Sequence, residues 1–259
     1  MSQSTAKVAF ITGANRGIGF ETAKGLGELG ITVVIGSRDL KKGQQAASEL
    51  IAKGIQAEAI AYEADSATSA SAAYDYLNTK YGKLDILVNN AGILRSGPLA
   101  QLPLEEWNTL LAVNLTGYLL CAQAFRPQML GRPAALVHIA SIAASNPQPR
   151  SGGYSPSKAA VAMLSRQLAL EWGPDGIRSN IVSPGLIRTP MSETFYQAPG
   201  VKERREQMLP ARRIGTPQDI ADAVIFLASP RSSYVTGGEI LVDGGLDQVV
   251  MELTPRPGY

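Results

Sequence analysis

The sequence contains few of the residues that form disulfides or bind zinc. Among its 259 residues there is one cysteine, Cys121, and one histidine, His138. A single cysteine cannot form an internal disulfide, which fits a protein of a reducing compartment. One cysteine and one histidine are also too few for an ordinary zinc site. We therefore expect no metal centre, a cytoplasmic location, a core position for Cys121 and a place inside a strand, without a catalytic role, for His138.

Long apolar runs and a strong net charge are also missing. No stretch of about 18 or more apolar residues occurs, so no membrane span is expected. The N-terminal segment MSQSTAKVAFITGANRG has no long apolar run after Lys7 and predicts a short tail leading into a strand rather than a signal peptide. The formal net charge is only +2. Nothing in this balance indicates a nucleic acid or an acidic membrane surface as partner.

Short apolar runs alternate with longer segments of helical periodicity along the whole chain. The predicted strands cover 8–13, 31–37, 57–65, 84–92, 134–141, 177–185 and 237–245. The predicted helices cover 17–30, 39–54, 66–82, 104–125, 154–172 and 217–229. Strand and helix in alternation predict an α/β fold, a single doubly wound (Rossmann) domain over 1–259 with about seven parallel strands and helices on both faces.

A glycine-rich turn joins the first predicted strand to the first predicted helix. In TGANRGIG (12–19), Gly13, Gly17 and Gly19 allow a sharp turn and the close approach of a phosphate. The helix N-terminus that follows presents unpaired N–H groups and a positive dipole end. The spacing G-x-x-x-G-x-G differs from the common dinucleotide fingerprint. The turn therefore predicts a dinucleotide site, with glycines used only for packing as the alternative.

The residues after the second predicted strand indicate which dinucleotide would bind. Ser37 and Arg38 stand where an acid would hold a ribose 2′-hydroxyl, and Arg16 adds a cation from the glycine turn. Arginine grips phosphate in a bidentate way, so the pattern favours NADP(H) over NAD(H). Asp39 is expected to cap the next helix. The alternative is that both arginines are simply solvated.

A tyrosine and a lysine stand four residues apart in GYSPSKAAVAML (153–164). On a helix, Tyr154 and Lys158 lie on the same face, one turn apart. A phenol beside an ammonium can act as a general acid or base. The alternative is a partly buried tyrosine that lies near a surface lysine and has no catalytic role.

Six motifs in order resemble the short-chain dehydrogenase/reductase family. They are TGANRGIG (12–19), NNAG (89–92), VNLTG with Asn114, HIAS with Ser141, YSPSK (154–158) and SPGLIRTPM (183–191). The resemblance runs from about Lys7 to Gly245, and it is nearest to the group of roughly 250 residues that includes the 3-oxoacyl-carrier-protein reductases.

The resemblance implies a catalytic role for four residues. Tyr154 would be the general acid or base, with its pKa lowered by Lys158 and by the positive ring of the oxidised cofactor. Lys158 would also bind the nicotinamide ribose. Ser141 would hold the substrate oxygen, and the backbone carbonyl of Asn114 would position a water beside the lysine. A local side-chain bond that kinks the helix is the alternative for Asn114.

The resemblance also implies the cofactor contacts. Asp65 would accept from the adenine amino group, while Ile187 and Thr189 would hold the carboxamide, with Arg188 between them facing solvent. The expected cofactor-binding residues are Gly13, Asn15, Arg16, Gly17, Ile18, Gly19, Ser37, Arg38, Asp65, Ser66, Asn90, Ala91, Gly92, Tyr154, Lys158, Pro184, Gly185, Ile187, Thr189 and Met191.

The expected function is that of an NADPH-dependent carbonyl reductase, reversible as an alcohol dehydrogenase. An NAD-linked catabolic dehydrogenase and a non-catalytic NADP(H) sensor remain as alternatives. A small-molecule substrate is expected to bind between segments 93–98, 142–153 and 190–216, the last of which would act as a lid. Arg95 and Arg150 would lie near a polar tail of that substrate. The resemblance implies a homotetramer formed through 104–125 and 154–172, and the extension 246–259 is expected to reach a neighbouring subunit.

Overall fold

The computed structural model describes residues 6–253, and these form one seven-stranded sheet with helices on both faces. The strands are β1 (Val8–Thr12), β2 (Thr32–Ser37), β3 (Ala57–Ala61), β4 (Ile86–Asn89), β5 (Ala134–Ile139), β6 (Ile177–Pro184) and β7 (Glu239–Val242). The helices are α1 (Gly17–Glu28), α2 (Leu40–Ala52), α3 (Ala67–Tyr81), α4 (Leu104–Leu111), α5 (Gly117–Met129), α6 (Tyr154–Trp172), α7 (Val201–Met208) and α8 (Pro217–Ala228).

The sheet is parallel throughout, in the order β3-β2-β1-β4-β5-β6-β7. The chain moves outward in one direction from β1 to β3 and then returns to add β4 on the other side of β1. The crevice outside the carboxyl ends of β1 and β4 is thus the switch point of the topology, where ligands bind in open α/β sheets. The doubly wound fold class predicted from the sequence is confirmed.

The apolar strands are buried because both faces of the sheet are covered. Along β1, Ala9 and Ile11 pack into one core layer, while Val8 and Phe10 pack into the layer on the opposite face. All five residues of β1 are buried. This double burial explains why the strands read as continuous apolar runs without alternating polar positions.

The structure differs from the predicted elements chiefly at their ends. The helix predicted over 104–125 is α4 and α5 joined by a π-helical turn, Ala112–Thr116, and it continues to Met129. Most strands end earlier than predicted, because their last residues leave the ladder to form the loops of the site. The stretch 190–216 contains α7, and Leu246–Leu253 is a 3₁₀ helix.

No helix within residues 6–253 is long and apolar enough to cross a membrane.

Candidate active site

The glycine turn adopts a backbone that side chains would disfavour. Gly13 and Gly17 have φ of +66° and +62°, in the left-handed region that glycine enters at no steric cost. Gly19 is needed for a different reason: a Cβ there would lie 2.6 Å from Nδ2 of Asn90 and 2.8 Å from Cα of Ala14. The predicted role of these glycines in shaping the turn therefore has a direct geometric basis.

The NNAG segment is locked onto the glycine turn by Thr12. The Thr12 hydroxyl oxygen accepts from the N–H groups of Asn90 and Ala91, both at 3.0 Å. In return, Nδ2 of Asn90 donates to the Thr12 carbonyl at 2.9 Å. Thr12 was missed by the sequence reasoning, although a hydroxyl at the end of an apolar strand was an available signal.

The N-terminus of α1 is open toward this crevice. Arg16 occupies its N-cap without a side-chain cap hydrogen bond, and the first turn contains no acidic residue. The first N–H groups of a helix have no partner within the helix itself. Asn15, Gly17 and Ile18 are only partly buried, so the turn and the helix start together form a cradle that a phosphate can enter.

Ser37, expected among the cofactor-binding residues, has its hydroxyl engaged within the fold. It is buried, and Oγ donates to the Asp39 carbonyl at 2.8 Å. The residue is the last of β2, so its side chain packs against the Gly43 position of α2 instead of reaching outward. Asp39 caps α2 through the Lys42 N–H, as predicted.

The two arginines near this strand end are exposed. Within residues 6–253, neither Arg16 nor Arg38 forms a side-chain hydrogen bond or ion pair. Further along, Asp65 is exposed, and the Ser66 hydroxyl caps α3 by accepting from the Ser69 N–H at 3.1 Å. The Ser66 side chain is thus engaged in the fold, whereas Arg16, Arg38 and Asp65 are available to a ligand.

Ser141 and Tyr154 meet where β5 ends and α6 begins. Ser141 follows β5 and caps a short 3₁₀ turn by accepting from the Ala143 N–H at 3.1 Å. Burial raises the pKa of the half-buried Tyr154 phenol, and a hydrogen bond with Ser141 partly offsets this. A phenol with a raised pKa stays protonated at neutral pH, the form that can donate a proton.

Lys158 is enclosed beneath Tyr154. Its side chain is 3% exposed, and Nζ lies 5.7 Å from the Tyr154 ring centre. Nζ donates to the backbone carbonyl of Ile139 at 2.7 Å. Burial lowers the pKa of Lys158 to about 7. Without a cofactor, burial is the dominant influence on both groups; a phenol pKa lowered by Lys158 together with the oxidised cofactor ring stays a prediction.

Asn114 lies in the π-helical turn between α4 and α5 and is fully buried. Its side-chain oxygen accepts from the Ile93 N–H at 2.8 Å, and its Nδ2 donates to the Ile93 carbonyl at 3.0 Å and to Ser157 Oγ at 3.3 Å. These bonds are long-range, so the local side-chain bond considered as an alternative is not what the residue makes. The π turn, a feature common at functional sites, redirects the side chain toward the loop after β4.

Gly92 lies between these groups. A Cβ on Gly92 would be 3.4 Å from Asn114 Oδ1 and 3.8 Å from Lys158 Nζ. The carboxyl ends of β4 and β5 thereby bring the NNAG turn, Asn114 and Lys158 into one place.

The segment after β6 passes beside the glycine turn. Pro184 ends β6, and Gly185 is required because a Cβ would lie 2.6 Å from Cα of Asp243. The open space at Gly17 is bounded by the side chains of Thr189 and Pro190, at 3.9 Å and 3.7 Å from a Cβ placed there.

Within this segment, Ile187 is buried and Thr189 is partly buried, while Met191 is exposed. The Ile187 carbonyl accepts from the Ser192 hydroxyl at 2.7 Å. Arg188 faces solvent, as predicted, and pairs with Glu193 at 2.7 Å.

Two of the loops predicted to wall the substrate are joined to each other. Gly97 and Ser151 form a parallel bridge between the loops after β4 and β5. A cavity of about 450 Å³ adjoins the first loop, lined by Leu94, Arg95, Ser96, Gly97, Pro98, Gln101, Leu102, Pro103 and Glu106. Arg95 pairs with Glu106 across it at 3.0 Å. The sequence reasoning missed Gln101 and Glu106, which α4 and the turn before it bring to the cavity.

The two residues set aside from the sequence are both buried. Cys121 belongs to the core layer around Phe125, and burial raises its pKa to about 12. The His138 ring accepts at Nδ1 from Asn89 Nδ2 and meets Ser179 Oγ through Nε2, both at 3.2 Å. Burial lowers the pKa of His138 to about 3, so the ring is neutral.

Comparison with known proteins agrees with this geometry. Residues 13–247 match the protein family described as Enoyl-(Acyl carrier protein) reductase. The chain is 36% identical to the 3-oxoacyl-[acyl-carrier-protein] reductase FabG of Chlamydia muridarum over 242 residues, covering 93% of this chain and 97% of the relative. It is 34% identical to the 5-keto-D-gluconate 5-reductase of Escherichia coli K12 over 241 residues, covering 93% and 95%.

A solved structure has a fold similar to that of this chain. The gluconate 5-dehydrogenase of Burkholderia cenocepacia, in complex with NADP and tartrate, superposes with a TM-score of 0.90 at 33% identity. The match covers 94% of this chain and 96% of that one.

Proposed function

The chain belongs to the short-chain dehydrogenase/reductase family of oxidoreductases, and from this premise we propose that it is an NADPH-dependent carbonyl reductase, reversible as an alcohol dehydrogenase. The observation that carries the proposal is the meeting of Ser141 and Tyr154 at the carboxyl end of β5, above Lys158. In open parallel sheets this edge is where ligands bind.

In the proposed reduction, Tyr154 is the general acid. Its phenol donates a proton to the substrate oxygen, and the hydroxyl of Ser141 donates a hydrogen bond to the same oxygen as negative charge develops on it. The cofactor, when bound, supplies the hydride for reduction and a positively charged ring for oxidation. The protonated phenol is the form that donates in the direction of reduction, and the phenolate is the form that accepts in the direction of oxidation.

Asn114 and Lys158 hold this arrangement in place. Asn114 fixes the loop after β4 through Ile93. Lys158 is proposed to bind the nicotinamide ribose, and the Asn114 carbonyl to position a water beside it, as in the family. A lysine with a pKa of about 7 can hold or release a proton near neutral pH, which suits a path that resupplies Tyr154.

NADP(H) fits the crevice better than NAD(H). The uncapped start of α1 and the glycine turn suit a diphosphate, while exposed Arg16 and Arg38 suit a 2′-phosphate. Asp65 would accept from the adenine amino group, and Ile187 and Thr189 would hold the carboxamide. The NADP bound in the similar gluconate 5-dehydrogenase supports this choice.

The substrate is proposed to be a small ketone or the corresponding secondary alcohol. The names of two relatives describe the reduction of keto compounds, a 3-oxoacyl-[acyl-carrier-protein] and 5-keto-D-gluconate. Residues 190–216 are proposed as a lid over the pocket, tied at its neck by the bridge between Ile187 and Gly215.

Self-assembly into a homotetramer is part of the proposal. On α6, Met163 and Leu170 are 59% and 75% exposed, and Leu104 at the start of α4 is 71% exposed; large apolar side chains at helix surfaces suit subunit contacts. Light scattering of a chain carrying Met163→Glu and Leu170→Glu tests this, and an unchanged mass would contradict it.

The extension 246–259 is proposed to reach a neighbouring subunit; residues 254–259 lie outside the described part of the chain. Truncation after Gly245 is the test. Assembly and kinetics that stay the same after truncation would contradict the proposal.

Tyr154→Phe tests the enzymatic proposal directly. NADPH absorbance would be followed with ketones, oxoacyl thioesters, keto sugar acids and quinones, and the variant compared with the wild type on every substrate that turns over. We expect retained NADPH binding and a loss of turnover of about 100-fold or more. Tyr81→Phe, which removes from the end of α3 a hydroxyl that donates to Glu58 of β3, is the matched control.

The result also separates the competing functions. A non-catalytic NADP(H) sensor would show no turnover in the wild type and no effect of Tyr154→Phe. An NAD-linked dehydrogenase would turn over with NADH in preference to NADPH. Full activity of Tyr154→Phe would overturn the assignment of the general acid.

A further inference from the structure

The backbone carbonyl of Ile139 occupies a special position at the edge of the sheet. The ladder between β4 and β5 ends at the pair of Asn89 with His138, one residue before Ile139. The next N–H that could continue the ladder after β4 is that of Ala91. It donates to the Thr12 hydroxyl instead of to the Ile139 carbonyl. The carbonyl of Ile139 is therefore a buried acceptor that the ladder does not satisfy, and such groups take partners from elsewhere.

Two side chains share this carbonyl. Lys158 Nζ donates to it at 2.7 Å, and the hydroxyl of Tyr118 on α5 donates to it at 3.2 Å. Lys158 Nζ also lies 5.4 Å from the centre of the Tyr118 ring. Tyr118 is 1% exposed, and burial raises its pKa above the usual range. Its hydroxyl is thus always protonated and able to donate.

Tyr118 is itself held firmly. Its ring stacks on His138 with centres 5.9 Å apart and planes 23° apart. Asn89 Nδ2 donates both to the Tyr118 carbonyl and to His138 Nδ1, each at 3.2 Å. The neutral His138 places no second cation beside Lys158. The chain from Asn89 through His138 to Tyr118 therefore sets the position of one hydroxyl.

We propose that Tyr118 is a positioning residue for Lys158, keeping the Ile139 carbonyl paired when the Lys158 ammonium leaves it for the cofactor. The inference rests on the proposed function, in which Lys158 binds the nicotinamide ribose. Without a second donor, that move would leave a buried carbonyl unpaired, which is costly. With the Tyr118 hydroxyl in place, one hydrogen bond remains and the ammonium is free to change partners.

Tyr118→Phe is the test, because it keeps the ring over His138 and removes only the hydroxyl. We expect NADPH to bind about tenfold more weakly by isothermal titration. Turnover at saturating NADPH stays within about twofold of the wild type, since Lys158 is then already engaged. Tyr81→Phe, which loses a hydrogen bond to Glu58 on the edge strand β3, keeps wild-type affinity.

A double-mutant cycle distinguishes positioning from general support of the fold. In a chain with Lys158→Met, the Ile139 carbonyl has the same partner before and after NADPH binds. Tyr118→Phe then has no further effect on NADPH affinity. A loss of about tenfold that persists in the Lys158→Met background would overturn the inference, as would wild-type NADPH affinity in Tyr118→Phe alone.

The outcome is separable from that of the proposed function. A wild-type chain that binds neither NADPH nor NADH would overturn both. A wild-type chain that binds and oxidises NADPH, with no response to Tyr118→Phe, would overturn only the role of Tyr118.

Discussion

The side chain of Asn114 pairs with both backbone polar groups of Ile93, accepting from its N–H at 2.8 Å and donating to its carbonyl at 3.0 Å. This reciprocal pair ties the π turn between α4 and α5 to the loop that leaves β4. The loop is the same one that lines the 450 Å³ cavity. A single amide thus links the helix behind the site to the wall of the pocket.

Asn114→Ala is expected to lower the free energy of unfolding by about 2 kcal/mol, because two backbone groups of Ile93 lose their partners. Turnover should fall as well, since the loop at 93–98 loses its anchor. Urea unfolding and steady-state kinetics measure the two effects. Asn108→Ala, on the exposed face of α4, is the control and should change neither.

Lys158 should make stability depend on pH. Burial holds its pKa at about 7 in the folded chain, against an ordinary value of 10.5. Between these values the unfolded chain binds a proton that the folded chain lacks, so stability rises with pH, by at most about 1.4 kcal/mol per unit. Below about pH 7 both states are protonated and this dependence disappears.

The comparison of wild type with Lys158→Met by urea unfolding at pH 7, 8 and 9 isolates this effect. The difference in stability between the two chains should grow in favour of the wild type as pH rises. The groups around Lys158 do not interfere, because the pKa values of Tyr118 and Tyr154 are raised and that of His138 is lowered to about 3. Parallel pH profiles would contradict the prediction.

Arg38→Asp should shift cofactor preference from NADPH toward NADH. The change removes a cation that can bind a 2′-phosphate and introduces a carboxylate that repels it. We expect the ratio of NADH to NADPH affinity to rise by at least about tenfold, measured by titration of each nucleotide. Arg231→Asp, at an exposed position after α8, has the same change of charge and should leave the ratio unchanged.

Gly19→Ala should damage both the fold and the cofactor crevice. The new Cβ would overlap Asn90 and Ala14, and relieving such overpacking costs about 2 kcal/mol. Displacing Asn90 also disturbs its bond to Thr12, so NADPH affinity should fall. Thermal unfolding and nucleotide titration are the measurements.

Gly173→Ala is the matched control for that substitution. Gly173 has helical φ and ψ of −55° and −44°, and a Cβ there meets no atom within 4 Å. The substitution should be neutral or stabilise the chain by about 0.5 kcal/mol. Equal destabilisation by both alanines would show that the overlap at Gly19 is not the cause.

The sequence by itself determined the order of the elements and pointed to the strand ends where a site is proposed. The alternation of apolar runs and helical segments is a local property, and it is enough to predict a parallel, doubly covered sheet. Motifs at strand ends could likewise be placed together, because parallel strands bring their carboxyl ends to one edge. Thr12 joins that edge through its contacts with Asn90, a pairing of residues 78 positions apart that no local pattern reveals.

Only the tertiary structure decided what those residues do to one another. Burial, which depends on the whole fold, raises the pKa of Tyr154 and lowers that of Lys158, whereas the sequence suggested a simple attraction of a phenolate to a cation. In the folded chain the Ser37 hydroxyl is buried and donates a hydrogen bond to the Asp39 carbonyl. Tyr118 and Lys158 both donate to the Ile139 carbonyl because the ladder between β4 and β5 ends one residue pair before that carbonyl would be bonded. Packing between distant segments sets the point at which a ladder stops.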